Sequence, residues 1–412
     1  MVKAIIKVAK YLRSLNFSAV LMTIVVSFNA IGFLPSINPV LPILIALFSA
    51  CVILLHGNYH VEKKCSVFLL YLPLTIILAQ PDPIFQSWLR LFAYILLFVV
   101  ASPLIQSRYA RIFRKDSLII CCLFSIFIGI GSFIAYFLGY SAQAIKAIND
   151  GIDTDMYDVG RFSGIASQSM TLGPFAGIGA LVSIYVALFK GNKIFYIVSI
   201  ACLGAVMFSA SRLAFIATIA GIMFIIYKYS KSRITFTNYC LTIALVGVLS
   251  FPVWKDALTG LQAKQMSHLD DTEFFDSRAQ KFDARFKEIA YSPLIGVGFS
   301  AIVPSFGDKY NKVTGTIEPG SSWLAILSMT GIIGFILFIR IYKQSFTILK
   351  KRIETKSILL MAFFILISIH MLAEGYVFAT GNPLCYYVSL IMGCGYDMIY
   401  EKYNNLNTVC MD

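Results

Sequence analysis

Five arginines stand apart from the other basic residues of this chain: Arg90, Arg161, Arg212, Arg278 and Arg285. Most Lys and Arg fall in short clusters between apolar runs. These five border apolar runs or lie in the longest polar stretch, 254–320. A guanidinium presents a planar fork of donors that suits phosphate oxygens. Several of them, brought together from separate segments, would hold a pyrophosphate. Arg212 is the sharpest instance, because Phe208-Ser-Ala-Ser-Arg-Leu-Ala214 leaves its charge between two apolar helices. Two descriptions fit it. One is a snorkelling arginine covering a helix pair with its stem. The other is an anion site at the edge of a bilayer, at one level with Arg161 and Arg278.

The elements that must position these groups are apolar helices. The chain has 412 residues, 58% hydrophobic and 13% charged. A soluble domain carries roughly twice that charged fraction. Apolar runs near the length of a bilayer crossing recur throughout. In lipid such runs must satisfy their own backbone, which selects helices. The expected fold is therefore all-α: a polytopic integral membrane protein of about twelve transmembrane helices. The spans are expected at 15–34, 39–55, 66–79, 88–105, 117–140, 170–189, 194–209, 213–227, 234–253, 321–341, 357–378 and 384–400. Basic clusters at 3–13, 63–64, 108–115, 228–233 and 340–356 place alternate loops, and both termini, in the cytoplasm. The opposite side then carries an outer loop, 141–167, and one large extracytoplasmic loop, 254–320. The chain 1–412 reads as a single transmembrane domain. Its first apolar run lacks a small-residue cleavage site and reads as a retained span. There is no convincing internal repeat.

The net charge of +13 follows from the inner clusters, so it does not imply nucleic acid. His370 and Glu374 are four apart on one expected helical face. They read as a structural pair bonded to a neighbouring helix or as part of a proton pathway. Asp150, Asp153, Asp155 and Asp158 form an acidic loop whose Gly151 is misplaced for an EF-hand. His56 and His60 sit at an inner loop, and His268 is an isolated outer-loop candidate. None of the nine cysteines falls in the long outer loops, so no disulfide is expected. No spacing suggests a metal site.

Four places together resemble the O-antigen ligase and polymerase superfamily of membrane glycosyltransferases, the Wzy and WaaL types. Arg161-Phe-Ser-Gly164 resembles the arginine motif that closes an outer loop. Ser209-Ala-Ser-Arg212 resembles the family's Ser/Thr-x-Ser-Arg turn. Arg278, Phe282 and Pro293-Leu-Ile-Gly-Val-Gly298 resemble its Arg, aromatic and Pro-x-x-Gly-x-Gly series. Ser321-Ser-Trp-Leu324 through Gly331-Ile-Ile-Gly334 resembles the helix start after the large loop. Arg285 to Gly296 and Arg161 to Gly177 also have the Arg-x10-Gly and Arg-x15-Gly spacings of polymerase loops. Ligases carry a His where this chain reads Glu318-Pro-Gly-Ser-Ser322, and that departure favours a polymerase.

The resemblance implies an O-antigen or related polysaccharide polymerase at the outer face of a bacterial cytoplasmic (inner) membrane. Its donor would be a glycan on undecaprenyl pyrophosphate and its acceptor a lipid-linked repeat unit. No cofactor is implied. Arg161, Arg212, Arg278 and Arg90 would hold the pyrophosphate. Glu318 is the nearest titratable group to act as base, with Arg212 and Arg278 beside it. Arg285, His370 and Glu374 are secondary candidates. Partners would be the lipid-linked glycans, membrane lipids, a chain-length regulator and a flippase. The competing readings are an O-antigen ligase and a polysaccharide transporter or flippase.

Overall fold

The computed structural model describes residues 15–34, 38, 40–56, 58–149, 162–249, 273–307, 310–313, 315–352 and 355–408, with backbone alone for 146–149, 243–249, 273–278 and 401–408. The described chain is mostly helical. In order the helices are α1 (Phe17–Phe28), α2 (Val40–Leu55), α3 (Lys63–Ala79), α4 (Ser87–Ala101), α5 (Arg108–Phe137), α6 (Ala142–Asn149) and α7 (Ser169–Lys190). They continue with α8 (Ile194–Phe208), α9 (Arg212–Tyr229), α10 (Arg233–Leu249), α11 (Glu273–Tyr291), α12 (Ser322–Lys350), α13 (Thr355–His370) and α14 (Pro383–Thr408). Two short strands, β1 (His60–Val61) and β2 (Ile105–Gln106), pair antiparallel. Each expected span overlaps one helix. Helices α6 and α11 are additions within the segments read as outer loops.

Among the described residues, five segments are long and apolar enough to cross a membrane: Pro83–Ala101, Arg108–Phe137, Ser169–Lys190, Arg212–Tyr229 and Ser322–Lys350. Four shorter apolar helices accompany them, α1, α2, α8 and α13. Of the five, α7 is the most buried, and it packs on α5, α8, α9 and α13. Small residues allow this close approach. A side chain at Gly173 would strike Ala214 of α9, and one at Gly179 would strike the Ser125 carbonyl of α5.

Local chemistry sets the helix ends. The Asn16 side chain accepts from the N–H groups of Ser18 and Ala19 at the start of α1. Ser107 caps α5 through Ala110 N–H at 3.0 Å. Asn382 receives Leu384 N–H at 2.9 Å where α14 begins. Each satisfies a donor that the first helical turn leaves without a partner.

Three expectations for the helices are corrected. Helix α5 starts nine residues before the expected span, at Arg108. Arg114 is therefore not a loop cation but a fully buried helix residue, and Asp397 of α14 makes that possible. Arg114 donates to both Asp397 carboxylate oxygens at 2.7 Å and to the carbonyls of Ser102 and Ile105 at 3.0 Å. Next, α13 stops at His370 rather than 378. The carbonyls of Met371 and Glu374 instead receive the N–H of Ser322. His370 and Glu374 consequently do not share a helical face. Finally, α12 is interrupted at Gly331, with φ 63° and ψ −176°.

Candidate functional site

The site is built around that interruption. In a continuous helix the carbonyls of Ser328 and Met329 would accept from the N–H groups four residues on. Here they accept from Val297 N–H at 2.9 Å and Gly298 N–H at 3.1 Å. Across the break, Ile332 N–H donates to Pro293 O at 2.8 Å and Ile333 N–H to Leu294 O at 3.4 Å. Tyr71 of α3 adds its hydroxyl to Thr330 O at 2.9 Å. The Pro293–Gly298 turn is thus spliced into α12, and the freed backbone groups find protein partners. Non-helical backbone at membrane depth is tolerated on that condition. Glycine is required at both contact points. Gly296, at φ 83°, lies on the Met329–Gly331 backbone, and Gly331 lies on the Leu294 carbonyl.

Helix α11 leads into the splice. Its buried stripe is Ala284, Arg285 and Glu288. Arg285 and Glu288 form an ion pair at 2.7 Å with both side chains fully buried. Arg285 Nη1 donates to Ser328 Oγ at 3.3 Å, and Glu288 Oε1 accepts from Val303 N–H at 2.9 Å. Burial pushes the Glu288 carboxyl above the usual carboxylate range, against the pull of Arg285. Burial likewise lowers the Arg285 guanidinium, against the opposing effect of Glu288. One turn earlier, Lys281 meets Glu318 at 2.8 Å, with Glu318 59% exposed. The lysine stem packs under Gly320.

Further contacts bind this assembly to its neighbours. Ser322 Oγ donates to Glu374 O at 2.6 Å and accepts Tyr376 N–H at 3.0 Å. Trp323 Nε1 donates to Ser368 O at 3.1 Å. Gly375 lies against the Pro319 ring. His370 is buried, with Nδ1 3.2 Å from the Tyr376 hydroxyl. From α4, Arg90 donates to Ser300 Oγ at 3.3 Å. The adjoining Phe299 packs between Tyr94 and Phe378, its ring tilted against theirs at 5.4 and 4.9 Å.

Arg212 opens α9 and is exposed. The preceding turn is tight, with Ala210 at φ 52° and Ser209 Oγ donating to Val206 O at 2.7 Å. Gly177 of α7 lies between Thr218 of α9 and Leu366 of α13, and Gly221 of α9 lies near the Ala362 carbonyl. These contacts make α9 and α13 antiparallel. The start of α9 therefore shares an end of the bundle with the end of α13. Ser322 holds the start of α12 at that same end, and Phe299 against Phe378 holds Arg90 there too.

Among the described side chains, the structure therefore gathers Arg90, Arg212, Arg285, Glu318, His370 and Glu374 at one end. They form a layer rather than one contact cluster. Arg161 lies outside the described residues, as do the acids at 150–158 and His268. The next residue, Phe162, packs its ring on Tyr136 and Phe208 at 5.3 and 6.3 Å. Arg278 falls in α11 where only the backbone is described. Glu288 and Ser328 are the partners that the sequence reading missed. The available signal was the Arg285-to-Glu288 spacing beside Ala284, which puts a charge pair on the apolar stripe of a helix. Among the described residues, no three His, Cys, Asp or Glu converge.

Residues 197–339 match a family model described as O-antigen ligase, Wzy_C. The match runs from α8 through the break in α12. It takes in the Arg212 turn, α11 and the spliced Pro293–Gly298 loop. It is consistent with the Wzy and WaaL superfamily, whose members are membrane glycosyltransferase-like enzymes, polymerases and ligases alike. With the apolar helices it points to a membrane protein. No curated protein matches the chain.

Proposed function

We infer that this chain, whose residues 197–339 carry the O-antigen ligase family match, is a polysaccharide polymerase of a bacterial inner membrane. It crosses that membrane about twelve times as a single domain, with both termini in the cytoplasm. The site lies at the outer face. The observation that carries the reading is the family match across α9, α11 and the spliced α12, which hold Arg212, Arg285 and Glu288 at one end of the bundle.

The donor is a growing glycan on undecaprenyl pyrophosphate and the acceptor a lipid-linked repeat unit. An acceptor hydroxyl attacks the anomeric carbon of the donor. The bond from that carbon to the pyrophosphate oxygen breaks, and undecaprenyl pyrophosphate leaves with the charge. Arg212, Arg278, Arg161 and Arg90 neutralise that charge as it develops. Glu318, exposed beside Lys281, takes the hydroxyl proton. Positioning of donor and acceptor contributes much of the rate, since the leaving group is already good. A ligase remains the second reading, because the family model bears that description. The Glu318-to-Ser322 stretch, which has no His, favours the polymerase.

Two substitutions test the cradle. Arg212→Ala and Arg278→Ala are expected to reduce products to single repeats on gels at unchanged protein level. Long polymer from either variant removes that arginine from the pyrophosphate role. Glu318→Gln with full activity removes Glu318 as the base. The purified chain is expected to form polymer from lipid-linked repeats alone. A requirement for a separate lipid A core acceptor would make it the ligase.

A further inference from the structure

We propose that the buried Arg285–Glu288 pair is a positioning device that sets α11, and the cations along it, against the broken α12. The proposal rests on the reading of these cations as groups that act on a pyrophosphate. Its basis is the set of contacts that the pair makes. Arg285 reaches Ser328 Oγ in the outer segment of α12, three residues before the break. Glu288 holds Val303 N–H, five residues beyond the spliced loop. Between them, Val297 and Gly298 hydrogen bond to the Ser328 and Met329 carbonyls. One ion pair therefore locks three separate pieces: the end of α11, the outer segment of α12 and the chain leaving the splice.

The rest of α11 runs outward from this anchor. Lys281 is one turn away and is joined to Glu318 at 2.8 Å. Arg278 is two turns away, about 10 Å along the axis. A rod fixed at one end magnifies any tilt at the other. Loss of the lock therefore displaces the cations without removing them. Neither Arg285 nor Glu288 reaches substrate, since both side chains are fully buried. They act through Lys281, Glu318 and Arg278. A misplacement of about 1 Å at a reacting centre costs on the order of a hundredfold in rate.

The test uses the full chain in lipid nanodiscs, with lipid-linked repeat units as substrate and inorganic pyrophosphate as inhibitor. Arg285→Met with Glu288→Met replaces the pair by apolar groups of similar volume, an exchange that buried pairs often tolerate in stability. Arg285→Lys keeps the charge and is the conservative variant. The double variant is expected to unfold within a few degrees of the parent. Its kcat is expected to fall by about tenfold or more with KM for the lipid-linked repeat nearly unchanged. Pyrophosphate inhibition is expected to weaken in step, and Arg285→Lys is expected to recover part of both. A double variant that is folded, with parental kcat and parental pyrophosphate inhibition, overturns the proposal. If the double variant fails to fold, Ser328→Ala, which removes the anchor of Arg285 on α12, decides alone, and parental kcat and inhibition there overturn it as well. The underlying reading fails separately: parental activity in Arg278→Ala and Arg212→Ala sinks it. Loss in those two variants with none in the pair variants sinks only the positioning role.

Discussion

Arg285 and Glu288 are both fully buried, but they are not equivalent when left alone. An arginine keeps its charge at any ordinary pH, whereas a glutamate can take a proton. Glu288→Met strands a buried cation and is expected to cost about 3–5 kcal/mol in unfolding experiments in detergent. Arg285→Met strands a group that can neutralise itself, so its cost depends on pH. Burial already raises the folded Glu288 carboxyl, and removal of the guanidinium removes the first opposing influence. A raised folded pKa means that the native state holds a proton which the unfolded state has lost. The stability it contributes is complete below about pH 4.3, the ordinary glutamate value, and is lost as pH rises through the folded value. Arg285→Met is therefore expected to be mild near pH 4 and increasingly destabilised toward neutrality. A thermal shift that is the same at all pH values would contradict this. The sequence showed Arg285 as an outer-loop cation like the others, because nothing local says that Glu288 and Ser328 will enclose it.

At the scale of elements, the spliced loop and the broken helix make one unit. Pro293–Gly298 and Gly331–Gly334 are separate motifs in the sequence, and only the fold joins them. Gly331→Ala would hold a Cβ at φ 63° and against the Leu294 carbonyl. Strain of that kind costs of order 1–3 kcal/mol before the clash is counted. The expected outcome is a large drop in folded protein recovered from membranes. Gly381→Ala is the control, because nothing lies within 4 Å of a Cβ there, and parental recovery is expected. Equal recovery of the two variants would mean that the break tolerates a side chain. The ending of α13 belongs to the same scale. Hydropathy continues through Val377 and Phe378, so the span was expected to continue too. Ser321 and Ser322 end it by taking the Met371 and Glu374 carbonyls, and these hydroxyls lie about fifty positions away in the chain.

Across the whole molecule the two ends of the bundle differ in kind. One gathers Arg90, Arg212, α11 and the start of α12. The other is tied by Arg114 to Asp397, with Tyr396 donating to Glu62 at 2.6 Å beside it. Arg90 and the Ser102 carbonyl that Arg114 meets lie at opposite ends of α4, so the clamp is remote from the proposed site. Asp397→Asn keeps the shape but leaves the buried Arg114 charge, at a cost of about 3–5 kcal/mol. The expected result is a lower unfolding temperature with KM for the lipid-linked repeat unchanged. A shifted KM with parental stability would instead couple this end to the site.

Apolar run length and the placement of basic clusters determined, without any structure, where nearly every helix lies. Both signals are local, because each span must satisfy its own backbone in lipid and each short loop carries its own charges. The arginines proposed for the chemistry stood out for the same reason, as charges outside the basic clusters. The tertiary structure alone decided which charges are exposed and which are enclosed, where α12 breaks, and what fills the break. Arg114 and Asp397 are 283 positions apart, and Tyr71 and Thr330 are 259 apart. A buried charge or a freed carbonyl depends on whichever partner packing brings to it, and no local pattern records a partner at that distance.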